Sequence, residues 1–166
     1  FRGSVTLHSA SGALACARNH QGSPMLQRFR LLFPVLSFAA AGAAQAFDIE
    51  AHRGGRALLP ENTLPAFANA LSTGVDTLEL DLGVTKDGVI IVSHERGLNP
   101  DLTRDSRGTY IALPGTPFVQ MTLNDVKRYD VGQIRPGSKY AASFPDQRAI
   151  PGTRIPTLAE VFALVR

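Results

Sequence analysis

Two histidines, His52 and His94, each close a short strand-like run, and two carboxylates, Glu79 and Asp81, lie between them in the sequence. Imidazoles exchange protons near neutral pH and paired acids hold a hard cation, so the set outlines metal-assisted phosphoryl transfer. Glu79 and Asp81 are two residues apart in a stretch whose Leu78, Leu80 and Leu82 take the opposite face. On a strand this spacing sends both carboxylates to one side, ~6.5–7 Å apart along it. Such oxygen ligands suit a divalent cation, Mg²⁺ or Ca²⁺, better than zinc. A guanidinium at Arg53, next to the first histidine, offers planar and permanently charged donors to phosphate oxygens.

The elements that must position these groups read as an α/β fold. Residues 47–52 alternate apolar and polar side chains, as a short strand does, and run into Arg53-Gly54-Gly55, where glycine lets the backbone turn and approach a ligand. Asn62 is expected to cap a helix over 63–72, with Pro65 in its first turn, Leu64, Phe67, Ala68 and Leu71 facing a core, and Gly74 ending it. A second strand over 75–82 carries the acids. Lys86-Asp87-Gly88 signals a turn, and the β-branched run from Val89 to Ser93 suits a strand buried on both faces. The short link between these strands allows a hairpin, but an extended return to a parallel strand is expected, since that puts Asp81 and His94 both at strand C-termini.

The formal charge of +3 does not make the fold a polyanion binder, because it is unevenly spread. Residues 1–46 hold four arginines and no acid, which leaves 13 basic against 14 acidic residues in 47–166. No basic stripe with interleaved aromatics remains, so nucleic acid is not an expected partner. From Met25 the order is a basic segment with Arg28 and Arg30, an apolar run from Leu31 to about Ala43, and Ala44-Gln45-Ala46. This is the layout of a secretory signal peptide over 25–46, shorter than a spanning helix, so the expected product is exported, periplasmic or secreted, with no stable membrane anchor after cleavage. Residues 1–24 lack periodicity and read as a non-native upstream extension outside the fold. Cys16 falls within them, so residues 47–166 have neither a disulfide nor a thiolate metal site.

His52-Arg53-Gly54, Pro60-Glu61-Asn62-Thr63, Glu79-x-Asp81, Thr85-Lys86-Asp87-Gly88 and His94 follow in an order and spacing that resemble the glycerophosphodiester phosphodiesterase family. The resemblance covers 47–166, including Leu98 to Arg104 and Ile155-Pro156-Thr157-Leu158. It implies a (β/α)8 TIM-type barrel that hydrolyses glycerophosphodiesters, small-molecule substrates, to an alcohol and glycerol 3-phosphate. It also implies His52 and His94 as general acid and base, Glu79 and Asp81 as metal ligands, and Arg53 as the phosphate-binding residue. Glu61 either supports the site or favours the positive end of the following helix. The implied chemistry has one histidine take a glycerol hydroxyl proton while the other protonates the leaving alkoxide.

Residues 95–150, rich in Gly, Pro, Asp and Arg, read as an insertion after the third strand, with a short helix opened by Thr122 and ending near Tyr129. Arg104, Arg107 and Lys139 within it are either headgroup contacts or a charged solvent face. Thr157 to Glu160 opens a capping-box helix. Three barrel strands are counted where eight are needed. The expectation is therefore the N-terminal part of a barrel, with the isolated chain inactive and poorly stable; the resemblance implies a third acidic metal ligand on the next strand. The alternatives are a related barrel phospholipase acting on phosphoinositide or sphingolipid, and a noncatalytic phosphate- or partner-binding fragment.

Overall fold

The computed structural model describes residues 3–8 and 47–166, so the expected signal peptide over 25–46 lies outside the described residues. Among the described residues one mixed sheet contains β1 (Gly3–His8), β2 (Glu50–Ala51), β3 (Thr77–Val84) and β4 (Ile90–Val92). Four helices accompany it: α1 (Leu64–Thr73), α2 (Leu123–Val126), α3 (Lys139–Ser143) and α4 (Leu158–Val165). None is long and apolar enough to cross a membrane.

β2, α1 and β3 form the expected βα unit, with Glu50 opposite Thr77 and Ala51 opposite Leu78 in parallel register. The helix start differs from expectation by one residue. Thr63 is the cap, its hydroxyl accepting from the Ala66 N–H, whereas Asn62 sits in left-handed backbone at φ 55° and is used elsewhere. Both residue types cap well, and Asn tolerates the left-handed region better than a β-branched residue. Gly74 ends the helix as expected. The buried face is Ala66, Phe67 and Ala70, with Leu64 and Leu71 at its margin, while Ala68 is exposed.

The third strand does not run parallel. β4 pairs antiparallel with β3, Leu82 opposite Val92 and Val84 opposite Ile90, through a tight turn in which the Thr85 hydroxyl donates to Asp87 at 2.5 Å. A link of this length cannot hold a crossover helix, so the turn chemistry of Lys86-Asp87-Gly88 decides the direction. The β-branched run is nevertheless buried on two faces. Val92 joins a core with Ala51, Phe67, Leu78, Leu80 and Val161, whereas Ile91 joins a second core with Leu98, Phe118, Met121, Val126 and Ile155. β1, from the segment read as lying outside the fold, pairs antiparallel with β3 from Gly3 opposite Leu82 to His8 opposite Thr77. An unpaired strand edge accepts any chain with compatible backbone, whatever its side chains.

Residues 95–150 supply most of the second core and lock it with polar groups. Arg104 donates to Asp130 at 2.5 Å and to Gln133 at 2.9 Å, and its guanidinium lies 5.9 Å from the Tyr110 ring centre. It is a structural residue, neither a headgroup contact nor part of a solvent face; Arg107 is exposed and pairs with Asp105. Thr122 and Asp125 form a capping box, but α2 stops at Val126 and turns carry the chain to Tyr129. Thr157 and Glu160 form the expected box at α4, whose Val161 is buried against α1 and β4.

The turn after β2 tolerates side chains unequally. A Cβ at Gly54 (φ 77°) would stand 2.8 Å from Cδ1 of Phe67, whereas one at Gly55 (φ 88°) would meet nothing within 4 Å. Gly55→Ala is expected to cost about 1–2 kcal/mol for the left-handed backbone alone. Gly54→Ala should lose about 2–5 kcal/mol, the same backbone cost plus overpacking. Urea unfolding of the two variants checks the order; equal losses would contradict it.

Candidate active site

His52, Arg53 and Gly54 form a single helical turn directly after β2. Arg53 sits in left-handed backbone at φ 52°, a conformation that costs a non-glycine residue about 1–2 kcal/mol unless its surroundings hold it. Two bonds do so: its N–H donates to Glu79 Oε2 at 2.7 Å, and its carbonyl accepts from the Asn62 N–H at 2.9 Å. The strained backbone turns the guanidinium inward, where the residue is 8% exposed. Its terminal nitrogen donates to Glu61 Oε1 at 2.9 Å, and its Nε lies 3.4 Å from Asp81 Oδ2. Burial works against the charge, but Glu61 and then Asp81 outweigh it, and Arg53 holds its proton more tightly than usual.

Glu79 and Asp81 project from one face of β3, opposite the buried Leu78 and Leu80, as the alternation requires. His52 lies at the mouth with its side chain 51% exposed and Nε2 3.9 Å from Glu79 Oε2. Asp81 is gripped by Asn62, whose amide donates to Oδ2 at 3.0 Å and accepts the Asp81 N–H at 3.2 Å. The residue expected to cap the helix is therefore a site residue. Two adjacent good caps, Asn62 and Thr63, were the sequence signal that one was available for another task.

The β3–β4 hairpin, not a parallel crossover, leads to His94. The Ser93 N–H donates to the Asp81 carbonyl at 2.9 Å, and His94, the next residue, lines a cavity together with Glu61 and Asn62. The His94 ring turns to Glu95, Nδ1 lying 2.9 Å from Oε1. The cavity, of ≈ 40 Å³, is lined by Glu61, Asn62 and His94 on one side and by Asn99, Leu102 and Gln147 of the insertion on the other.

Glu61 is the junction between site and insertion. One carboxylate oxygen takes Arg53 and the other accepts the hydroxyl of Tyr140, a residue of α3. Burial, followed by the bond to Glu61, pushes the Tyr140 phenol up to about 12. Nothing in the sequence pattern signals Tyr140, because its partner is 79 residues away. Among the described residues no group of three His, Cys, Asp or Glu side chains closes around a metal position. Glu79 and Asp81 present the hard oxygen chemistry that a divalent cation takes.

Residues 52–166 match the family model described as the glycerophosphoryl diester phosphodiesterase family. A glycerophosphodiester phosphodiesterase of Caldanaerobacter subterraneus subsp. tengcongensis is 40% identical over 116 residues, 69% of this chain and 39% of that protein. One of Bacillus subtilis is 35% identical over 114 residues, 67% and 33%. A rat protein named lysophospholipase D is 32% identical over 158 residues, 92% and 44%. Among solved structures, a putative glycerophosphoryl diester phosphodiesterase of Silicibacter pomeroyi superposes with a TM-score of 0.70 at 36% identity, covering 72% of this chain and 40% of its own. The chain thus spans less than half the length of these relatives, and over the matched residues its sheet and helices are consistent with part of a barrel.

The raised phenol has a testable consequence. A folded-state value near 12 against about 10 in the unfolded chain favours the neutral form in the native state. Its contribution to stability is whole below about pH 10 and is lost as pH rises from there toward 12. In an alkaline absorbance titration, the last phenolate to form is expected to vanish in Tyr140→Phe and to persist in Tyr129→Phe.

Proposed function

Because this chain belongs to the glycerophosphoryl diester phosphodiesterase family, we propose that its site serves the hydrolysis of glycerophosphodiesters to an alcohol and glycerol 3-phosphate. The observation that carries this reading is the convergence on Arg53. The buried Arg53 guanidinium stands against Glu61 and Asp81 while its backbone N–H donates to Glu79, with His52 3.9 Å from Glu79 and Ser93, the residue before His94, bonded to the Asp81 carbonyl.

Arg53 binds the substrate's phosphate oxygens, fixing the diester so that a neighbouring glycerol hydroxyl lies in line with the scissile bond. One histidine takes that hydroxyl's proton as its oxygen bonds to phosphorus. The other gives a proton to the alkoxide as the bond to the alcohol breaks, leaving a cyclic phosphate. Water then opens the ring with the two proton transfers reversed. Glu95 holds the His94 ring through Nδ1, which leaves Nε2 as the nitrogen that exchanges protons. Glu79 and Asp81 would hold a divalent cation, Mg²⁺ or Ca²⁺, which when bound supplies positive charge to the phosphate. Asn62 keeps Asp81 in place for it.

A second reading, hydrolysis of lysophospholipids, is supported by the likeness to the rat lysophospholipase D. Turnover of lysophosphatidylcholine beside glycerophosphocholine separates the two. In the full-length protein, His52→Ala and His94→Ala are each expected to lose about 10²–10⁴-fold in kcat on an unactivated diester. Only the variant lacking the acid should recover on a substrate with a 4-nitrophenolate leaving group. Chelation of divalent ions should abolish turnover, with restoration by Mg²⁺ or Ca²⁺. Near wild-type turnover by either histidine variant would overturn the paired scheme.

We propose export as well, on the order basic segment, apolar run and Ala44-Gln45-Ala46. A mature N-terminus at Phe47 in the exported fraction is the expected result of mass spectrometry, and one upstream of Leu31 would contradict it.

A further inference from the structure

The insertion holds the loop that carries the phosphate-binding residue at three points. The Gln147 side chain donates to the Arg56 carbonyl at 2.7 Å, the Arg148 N–H donates to the Leu58 carbonyl at 2.9 Å, and the Tyr140 hydroxyl donates to Glu61. Tyr140 is itself seated by Phe144, with ring centres 5.2 Å apart, and the Arg56 guanidinium covers the Phe144 ring at 5.0 Å. Of the three contacts, only the one at Tyr140 reaches a side chain that touches Arg53.

We propose that Tyr140 is a positioning residue for the reaction, setting the Arg53 guanidinium through Glu61. The proposal rests on Arg53 as the phosphate-binding residue. A carboxylate has two oxygens, and a planar guanidinium prefers to take both. With Tyr140 drawing Oε2, Glu61 takes Arg53 through Oε1 alone, by one bond from a terminal nitrogen, while Nε faces Asp81 at 3.4 Å, so the second terminal nitrogen is left for an incoming phosphate. Without the hydroxyl, Glu61 turns both oxygens to Arg53 and withdraws it into a closed pair. The insertion therefore acts on substrate binding from outside the reacting groups, through a contact whose partners lie 79 residues apart.

The test measures glycerol 3-phosphate affinity by calorimetry, and the Arg53 guanidinium resonances by NMR with labelled arginine, in the full-length protein. Tyr140→Phe keeps the ring on Phe144 and removes only the hydroxyl. It is expected to weaken glycerol 3-phosphate binding by about tenfold, the scale of one hydrogen bond, and to shift the Arg53 resonances, in a protein that still unfolds cooperatively. In a Glu61→Ala background the same change should add no further loss, because the two residues act in series. Unchanged affinity and resonances in Tyr140→Phe would overturn the proposal, as would a full further loss in the Glu61→Ala background. If Tyr140→Phe fails to fold, Glu61→Ala alone decides: retained affinity and unmoved resonances would overturn the proposal. Arg53→Ala separates the two levels. Loss of binding there upholds the reading of Arg53 whatever Tyr140 does, and wild-type binding overturns that reading and the positioning role with it.

Discussion

Arg53 carries a permanent charge into a place that leaves the residue 8% exposed, and a buried cation is tolerated only where acceptors converge on it. Its partners come from separate segments: Glu61, which accepts a hydrogen bond, from the loop before α1, and Asp81, an ion pair at 3.4 Å, from β3. Pairing this one guanidinium therefore requires the loop and the strand to be in place together. The left-handed backbone at Arg53 is part of the same constraint, because it aims the side chain inward and is held by Glu79 and Asn62. Strain of this kind persists only where the surroundings over-determine it, which is common where a group must be pre-aimed at a ligand.

The two cores divide the labour around that point. The one formed by α1, α4 and the inner face of the sheet fixes β3 and the Arg53 turn; the other joins Leu98, Phe118, Met121 and Val126 to Ile91 and Ile155 and shares β4 with the first through the consecutive residues Val92 and Ile91. A strand buried on both faces couples two hydrophobic units without a crossover helix. Asp87 reinforces the coupling by accepting the Leu123 N–H, so the hairpin turn is tied to the first turn of α2. The insertion is accordingly a structured part of the site's surroundings.

Much of this was legible in the residues. The βα opening, the turn at Lys86-Asp87-Gly88, the helix start at Thr122, the capping box at Thr157 and the shared face of Glu79 and Asp81 all follow from rules that operate over two to four residues. β4 runs antiparallel and not parallel as expected, because the short turn after β3 leaves no room for a crossover helix. The ambiguity at Asn62 and Thr63 was local too, but both residues cap well and the choice fell to whichever could also reach Asp81. Arg104 had no readable partner, since Asp130 is 26 residues away.

By itself, then, the sequence determined which residues could do chemistry, on which face of β3 the acids stand, and which family the chain resembles, because residue type, period and motif order are local properties. Only the tertiary structure decided that Asn62 serves Asp81, that His94 shares a cavity with Glu61 and Asn62, and that Tyr140 reaches Arg53 through Glu61. Each of these depends on the ends of a loop being brought together by burial elsewhere. No local pattern carries that information, because the chain between the partners is free to differ while the contact stays the same.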